Sequence, residues 1–293
     1  MSALSLRRSE WVIVAYLAYV VLMARLLPAP GEVRAVTLWL NLTIIAAYFL
    51  LAWADSLRRR ALLGTVRDWY PMALLLLAYR EVGWLAPREH TYQLERVWIV
   101  WDKFFLHDLG VKRAIELAGP LVPAVLEIAY ALVYAMPFLG LAALYLNRRR
   151  SEADRFLFPF SVAVLSAYAL FPYFPSEPPR TVFPGEDFPA YLTVFRRFNW
   201  SVLGNYGIHT SVFPSAHVSG AFSAALALRR LLPERPWVWR WMLLLAVLIA
   251  TATVYGRYHY LADAAAGLGL ALAAMVATGL VERLRPWLGP SSR

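Results

Sequence analysis

His259 and Asp263 stand four residues apart in Tyr255-Gly256-Arg257-Tyr258-His259-Tyr260-Leu261-Ala262-Asp263, a spacing that puts both on one face of a helix. A carboxylate so placed holds an imidazole in one tautomer and stabilises its cation. The other ring nitrogen is then free to attack phosphorus. A second segment, Phe213-Pro214-Ser215-Ala216-His217, supplies an imidazole able to change protonation state near neutral pH and so to protonate a departing oxygen. Ser215 falls at a helix start, where unpaired backbone N–H groups and the helix dipole favour an anion. A third segment, Pro175-Ser176-Glu177-Pro178-Pro179-Arg180, adds Arg180; with Arg257 it offers guanidinium groups to nonbridging phosphate oxygens. This inventory suits phosphoryl transfer, which depends on positioning and charge stabilisation.

The elements that must position these residues are membrane helices. Of 293 residues, 60% are hydrophobic and only 16% charged, against about a quarter charged in soluble domains. The apolar blocks reach the roughly 20 residues that a helical crossing requires. Eight spans are predicted: Trp11–Leu27, Ala35–Ala54, Trp69–Leu85, Leu121–Leu146, Phe156–Phe174, Val212–Leu228, Val238–Tyr255 and Tyr260–Glu282. A lipid-embedded backbone must satisfy its own hydrogen bonds, so all are read as helices. The third and sixth are short and interrupted by polar residues. The fold class expected is all-α, a polytopic bundle forming one integral membrane domain over 1–293. The catalytic motifs occupy 156–282. Residues 86–120, where Trp98, Trp101, Phe104 and Phe105 mix with charges, form an interfacial amphipathic segment. The first span follows Arg7 and Arg8 as a secretory signal would. The Pro28-Ala29-Pro30-Gly31 break runs straight into the next apolar block, however, so a retained helix is predicted.

Net charge is +10, and 27 of the 29 basic residues are Arg. They sit in short clusters between apolar blocks, which is how helices are oriented in membranes; a nucleic-acid partner is not implied. If eight helices alternate, Arg7/Arg8, Arg58/Arg59/Arg60/Arg67, Arg148/Arg149/Arg150/Arg155, Arg229/Arg230/Arg235/Arg240 and Arg283/Arg285, with Arg293, share one side. The positive-inside bias makes that side cytoplasmic, with both termini there, and all three motifs fall opposite. The absence of Cys excludes disulfides and thiol chemistry.

Taken in order, PPR, PSAH and HYLAD resemble the type 2 phosphatidic acid phosphatase superfamily, and within it the branch of inositol phosphorylceramide synthase and its bacterial relatives. The resemblance spans Pro175 to Asp263, about a third of the chain. It implies a six-helix core, His259 as nucleophile through a phosphohistidine, Asp263 as its orienting partner, His217 as general acid, Arg180 and Ser215 at the phosphate, and no metal or other cofactor. Three positions depart from the phosphatase pattern: Tyr173 and Thr253 stand where Lys and Arg are usual, and Ala216 where many members have Gly. Arg257 is the substitute for the missing arginine. These departures lean toward the phosphotransferase branch. The expected partners are membrane lipid substrates with a lipid or polyol acceptor; a simple phosphatidic acid or isoprenoid phosphate phosphatase is the alternative, and a transporter a more distant one. Arg-rich, Lys-poor usage fits a bacterial inner membrane.

Other readings of the same residues stand beside this one. Histidines at helix ends also serve as caps, and His217, His259 and Asp263 include metal-ligand types, although the flanking arginines would repel a cation. His209 is expected in a solvated loop; His90 and His107 have no partner pattern. Glu127 is expected to pair with Arg80 or Arg180, or to meet a headgroup, because ionisable groups in membrane segments need a partner. Asp102 and Lys103 suit either a headgroup or a salt bridge. Ser219, Gly220 and Ser223 suit close helix packing.

Overall fold

The computed structural model describes residues 6–58, 61–87, 89–210 and 212–284, so Arg59, Arg60, Arg285 and Arg293 lie outside the described residues. The elements run α1 Arg8–Leu26, α2 Gly31–Arg58, α3 Ala61–Leu85, α4 Gln93–Lys103, α5 Val111–Glu116, α6 Leu121–Ala131, α7 Met136–Leu146, α8 Ala153–Leu170, α9 Pro179–Val182, α10 Val194–Tyr206, α11 Ala216–Leu231, α12 Pro236–Tyr255 and α13 Leu261–Leu284. No strand occurs among the described residues. A 3₁₀ turn, Leu132–Ala135, joins α6 to α7, and a π turn, Phe104–Asp108, follows α4.

Every predicted span coincides with helix, but not every one is built like a membrane crossing. Among the described residues six stretches are long and apolar enough to cross: Arg8–Leu26, Gly31–Leu57, Leu121–Leu146, Arg150–Tyr173, Pro236–Tyr255 and Leu261–Leu284. These fit an integral membrane protein. The count of eight is not reached. The third span, α3, carries Arg67, Asp68, Arg80 and Glu81, and the sixth, α11, has 16 residues and ends on Arg229 and Arg230. The bundle interior supplies what lipid would not: α11 is buried along most of its length against α8, α12 and α13.

The two ends of the bundle differ in chemistry. At one end Arg67 bonds Glu10 and Asp55, Asp68 accepts from Arg7, Arg150 and Tyr145, and Arg155 and Arg230 share Glu282. The three motifs lie at the other end. There α13 closes against the start of α11, and Gly267 is what permits it: a Cβ at that position would stand 2.5 Å from the Ser215 carbonyl oxygen.

Helix α4 has an inverted amphipathic pattern. Glu95, Trp98, Ile99 and Asp102 face inward and are buried, whereas Val97, Val100, Trp101 and Phe104 are exposed. Both sets follow the i, i+3, i+4, i+7 spacing of one helical face.

Candidate active site

The turn that carries His259 is built from the end of α12. The amides of Tyr258 and His259 both donate to the Thr253 carbonyl, at 2.9 Å each, and Arg257 takes the left-handed conformation with φ 63°. That conformation disfavours a side chain with a Cβ. Chain reversal brings His259 back under the segment that precedes α11. Its Nδ1 donates to the Val212 carbonyl at 3.0 Å and lies 3.3 Å from Asp263 Oδ2. A carbonyl only accepts, so Nδ1 carries the proton and Nε2 presents its lone pair. Asp263 Oδ2 also accepts from the Tyr260 amide at 2.8 Å, and the Ser215 amide donates to the Asp263 carbonyl at 3.0 Å. The second and third motifs are thus joined through both backbone and side chain.

His259 and His217 meet edge to face, with ring centroids 5.4 Å apart. His217 lies flat on Tyr130 (5.3 Å between centroids, 10° between planes), and Tyr130 in turn stacks on Tyr258 at 4.0 Å. The His217 Nε2 atom is buried with no hydrogen-bond partner among the described residues. Both histidines, Arg180 and five tyrosines (Tyr79, Tyr130, Tyr134, Tyr168 and Tyr258) line one cavity of about 100 Å³. Arg180 is positioned from below: its guanidinium lies 5.6 Å over the Tyr258 ring, and Nη1 donates to the Tyr258 carbonyl at 3.5 Å. Burial, with the positive charge of Arg180 added, drives the His259 pKa down to about 3. The imidazole is therefore neutral.

A model of the PAP2 superfamily matches residues 104–277, more than half of the chain. The chain belongs to the PAP2 superfamily. No curated protein and no solved structure matches it. Superfamily membership makes it an enzyme of the phosphatase and phosphotransferase class. Among the described residues no group of three or more His, Cys, Asp or Glu side chains is arranged to hold a metal ion.

Of the residues singled out from sequence, His217, His259 and Arg180 line this PAP2 cavity, with Asp263 directly behind His259. Ser215 caps α11, its hydroxyl accepting from the Val218 amide at 3.3 Å. Arg257, expected at the phosphate, instead points into the protein: it is fully buried and donates from Nη1 to Asp102 at 2.6 Å. Glu127 pairs with neither Arg80 nor Arg180. It accepts from Arg196 at 2.8 Å, Asn199 at 2.7 Å and the Tyr258 hydroxyl at 2.6 Å. Arg80 donates to the Tyr206 carbonyl. His209 is largely exposed, His107 contacts Asp187, and His90 contacts Glu95.

Arg196 and the tyrosine wall were not visible in the sequence reading. Their trace was the run Glu127, Tyr130, Tyr134, which shares one helical face with a lone acid at its head. The carbonyl of Val212 left no trace, since a backbone acceptor has no residue signature.

Proposed function

We propose that this PAP2 protein is a lipid phosphotransferase of the inositol phosphorylceramide synthase type, working through a phosphohistidine at the extracytoplasmic face of a membrane. The observation that carries the reading is one cavity that holds the histidine pair and Arg180 and opens into a further pocket on either side. On the His217 side it continues into an apolar limb lined by Met72, Leu75, Val133, Pro137, Phe138 and Val164, sharing Leu76, Tyr134 and Tyr168 with the catalytic cavity. On the Arg180 side it adjoins a second pocket with Thr181, His209, Phe188 and Trp200.

His259 Nε2 attacks phosphorus in line while the bond to the leaving oxygen breaks opposite it. His217 gives that oxygen its proton, and the substrate's own anionic phosphate supplies the countercharge for the imidazolium. The leaving group therefore departs toward the apolar limb, which suits an alkyl-bearing alcohol. What stays on phosphorus faces Arg180 and the pocket that holds Thr181 and His209. An acceptor hydroxyl enters by the leaving group's route, gives its proton to His217 and takes the phosphoryl group from His259. If water takes that place, the same site is a lipid phosphate phosphatase. Asp263 orients His259, Arg180 holds nonbridging oxygens, and the Ser215 turn supports the helix start beneath them.

This reading includes α3 and α11 as further crossings, α11 screened from lipid by its neighbours, giving eight. The basic end and both termini are then cytoplasmic, in a bacterial inner membrane.

The test is an assay of purified protein in lipid micelles with phosphatidylinositol, phosphatidic acid and prenyl phosphates, following free phosphate and new phospholipid together. A new phosphodiester product, formed with EDTA present and absent with His259→Ala, supports the transferase. Free phosphate alone makes it a phosphatase, and full activity in folded His259→Ala removes the reading.

A further inference from the structure

Helix α4 touches all three catalytic motifs with residues from its single inward face. Glu95 accepts from the amide of Glu177, in the first motif, at 3.0 Å. Trp98 stacks on Phe213, in the second, with centroids 4.8 Å apart and planes at 22°. Asp102 binds the third at two points: Oδ2 takes Arg257 Nη1 at 2.6 Å, and Oδ1 takes the Leu261 amide at 2.8 Å. Arg257 and Leu261 bracket His259, two residues away on either side. All three α4 residues precede the stretch matched to the superfamily, which begins at 104.

We propose that α4 is a splint for the catalytic motifs and that Asp102 is a positioning residue for His259, acting through both ends of the loop Arg257–Leu261. The proposal rests on the reading of His259 as nucleophile. Two features make the Asp102 contact decisive. Leu261 opens α13, so its amide is one of the donors a helix leaves unpaired, and Asp102 satisfies it from another helix. Arg257 holds a left-handed backbone without being glycine, a conformation that the Cβ disfavours. Its side chain is fixed by a partner as fully buried as itself. Without Asp102 the loop keeps the strain, loses its anchor and leaves a buried cation unpaired. Nδ1 of His259 then no longer has a fixed distance to the Val212 carbonyl. The outward face of Val97, Val100, Trp101 and Phe104 is the complement of this arrangement. A helix that turns its acids inward and its large apolar groups outward sits on lipid and not in water.

The experiment measures kcat and KM in lipid micelles for wild type, Asp102→Asn and Asp102→Ala, with hydrogen exchange of peptides over 256–263 and 216–231. Asn keeps an acceptor for the Leu261 amide and loses the charge; Ala loses both. The expected result is a graded fall in kcat, about tenfold for Asn and a hundredfold for Ala, with KM within twofold. Exchange rises over 256–263 and stays as in wild type over 216–231. If Asp102→Ala fails to fold, the double variant Asp102→Asn/Arg257→Gly removes both buried charges and relieves the backbone, and it carries the same expectation of lowered kcat. Wild-type kcat in a folded variant overturns the proposal, as does unchanged exchange over 256–263. Should wild type show no His259-dependent turnover, the functional reading fails, and the exchange data alone decide the splint.

Discussion

The imidazole of His259 donates from Nδ1 to the carbonyl oxygen of Val212, at 3.0 Å, in the segment that leads into the second motif. A backbone acceptor therefore defines the tautomer, and in the proposed phosphohistidine the Asp263 carboxylate at 3.3 Å would add charge stabilisation to the cationic ring. The two motifs act as one unit because the ring of one is held by the main chain of the other.

Asp263→Asn tests the division of labour between carbonyl and carboxylate. The Val212 bond survives the change, so ring orientation is kept and the charge is lost. The expected result is a fall in kcat of about a hundredfold, within the range for removing a positioned acid–base partner, with little change in KM. A full loss equal to that of His259→Ala would mean that the carboxylate, and not the carbonyl, sets the tautomer.

Stability should depend on pH through His259. Its pKa is depressed in the folded state from 6.5 to about 3, so the folded ring stays neutral while the unfolded ring gains a proton below 6.5. Stability from this site is complete above pH 6.5 and declines as pH falls toward 3, by about 1.4 kcal/mol per pH unit at the steepest. Thermal unfolding of wild type and His259→Asn between pH 7 and pH 4 measures it: the wild-type melting temperature falls more steeply, and parallel curves would contradict the depressed value.

Glu127 anchors the outer wall of the cavity, and its pair with Arg196 is nearly free of solvent on both sides. Breaking a buried pair by removing one partner costs about 3–5 kcal/mol. Glu127→Ala is expected to lower the melting temperature strongly, and the double variant Glu127→Gln/Arg196→Met to recover most of the loss. Near-additive single and double effects would show that the two side chains do not act as a pair.

The apolar limb predicts a chain-length effect. Leu76 is exposed and lines both the limb and the catalytic cavity, so Leu76→Trp narrows the junction at little cost in folding. KM for a long-chain lipid substrate is expected to rise about tenfold, equivalent to displacing roughly two buried methylenes, while a short-chain soluble analogue is unaffected. Equal effects on both would place the alkyl group elsewhere.

Much of this was legible in the residue pattern, and the exceptions have physical causes. His217, His259 and Arg180, which the fold brings to one cavity, could be found because they stand in short motifs, and the long helices because lipid demands continuous apolar runs. The third and sixth spans read as short and interrupted because α3 and α11 carry polar residues, several of which the bundle buries. From sequence Arg257 suggests a phosphate contact because it stands two residues from His259, whereas the side chain pairs with Asp102, 155 positions away. A separation of 69 positions likewise hid the pairing of Glu127 with Arg196. Long-range buried pairs have no local period, and only the folded chain brings their members together.

The central claim is that His259 takes the phosphoryl group covalently. The most direct measurement is rapid acid-free quenching of protein turning over a lipid donor labelled at phosphorus, followed by mapping of the bound label. The account predicts an acid-labile, alkali-stable label on the peptide containing His259, released on addition of the acceptor and absent from His259→Ala. Label on any other residue, or turnover retained by folded His259→Ala, would contradict it.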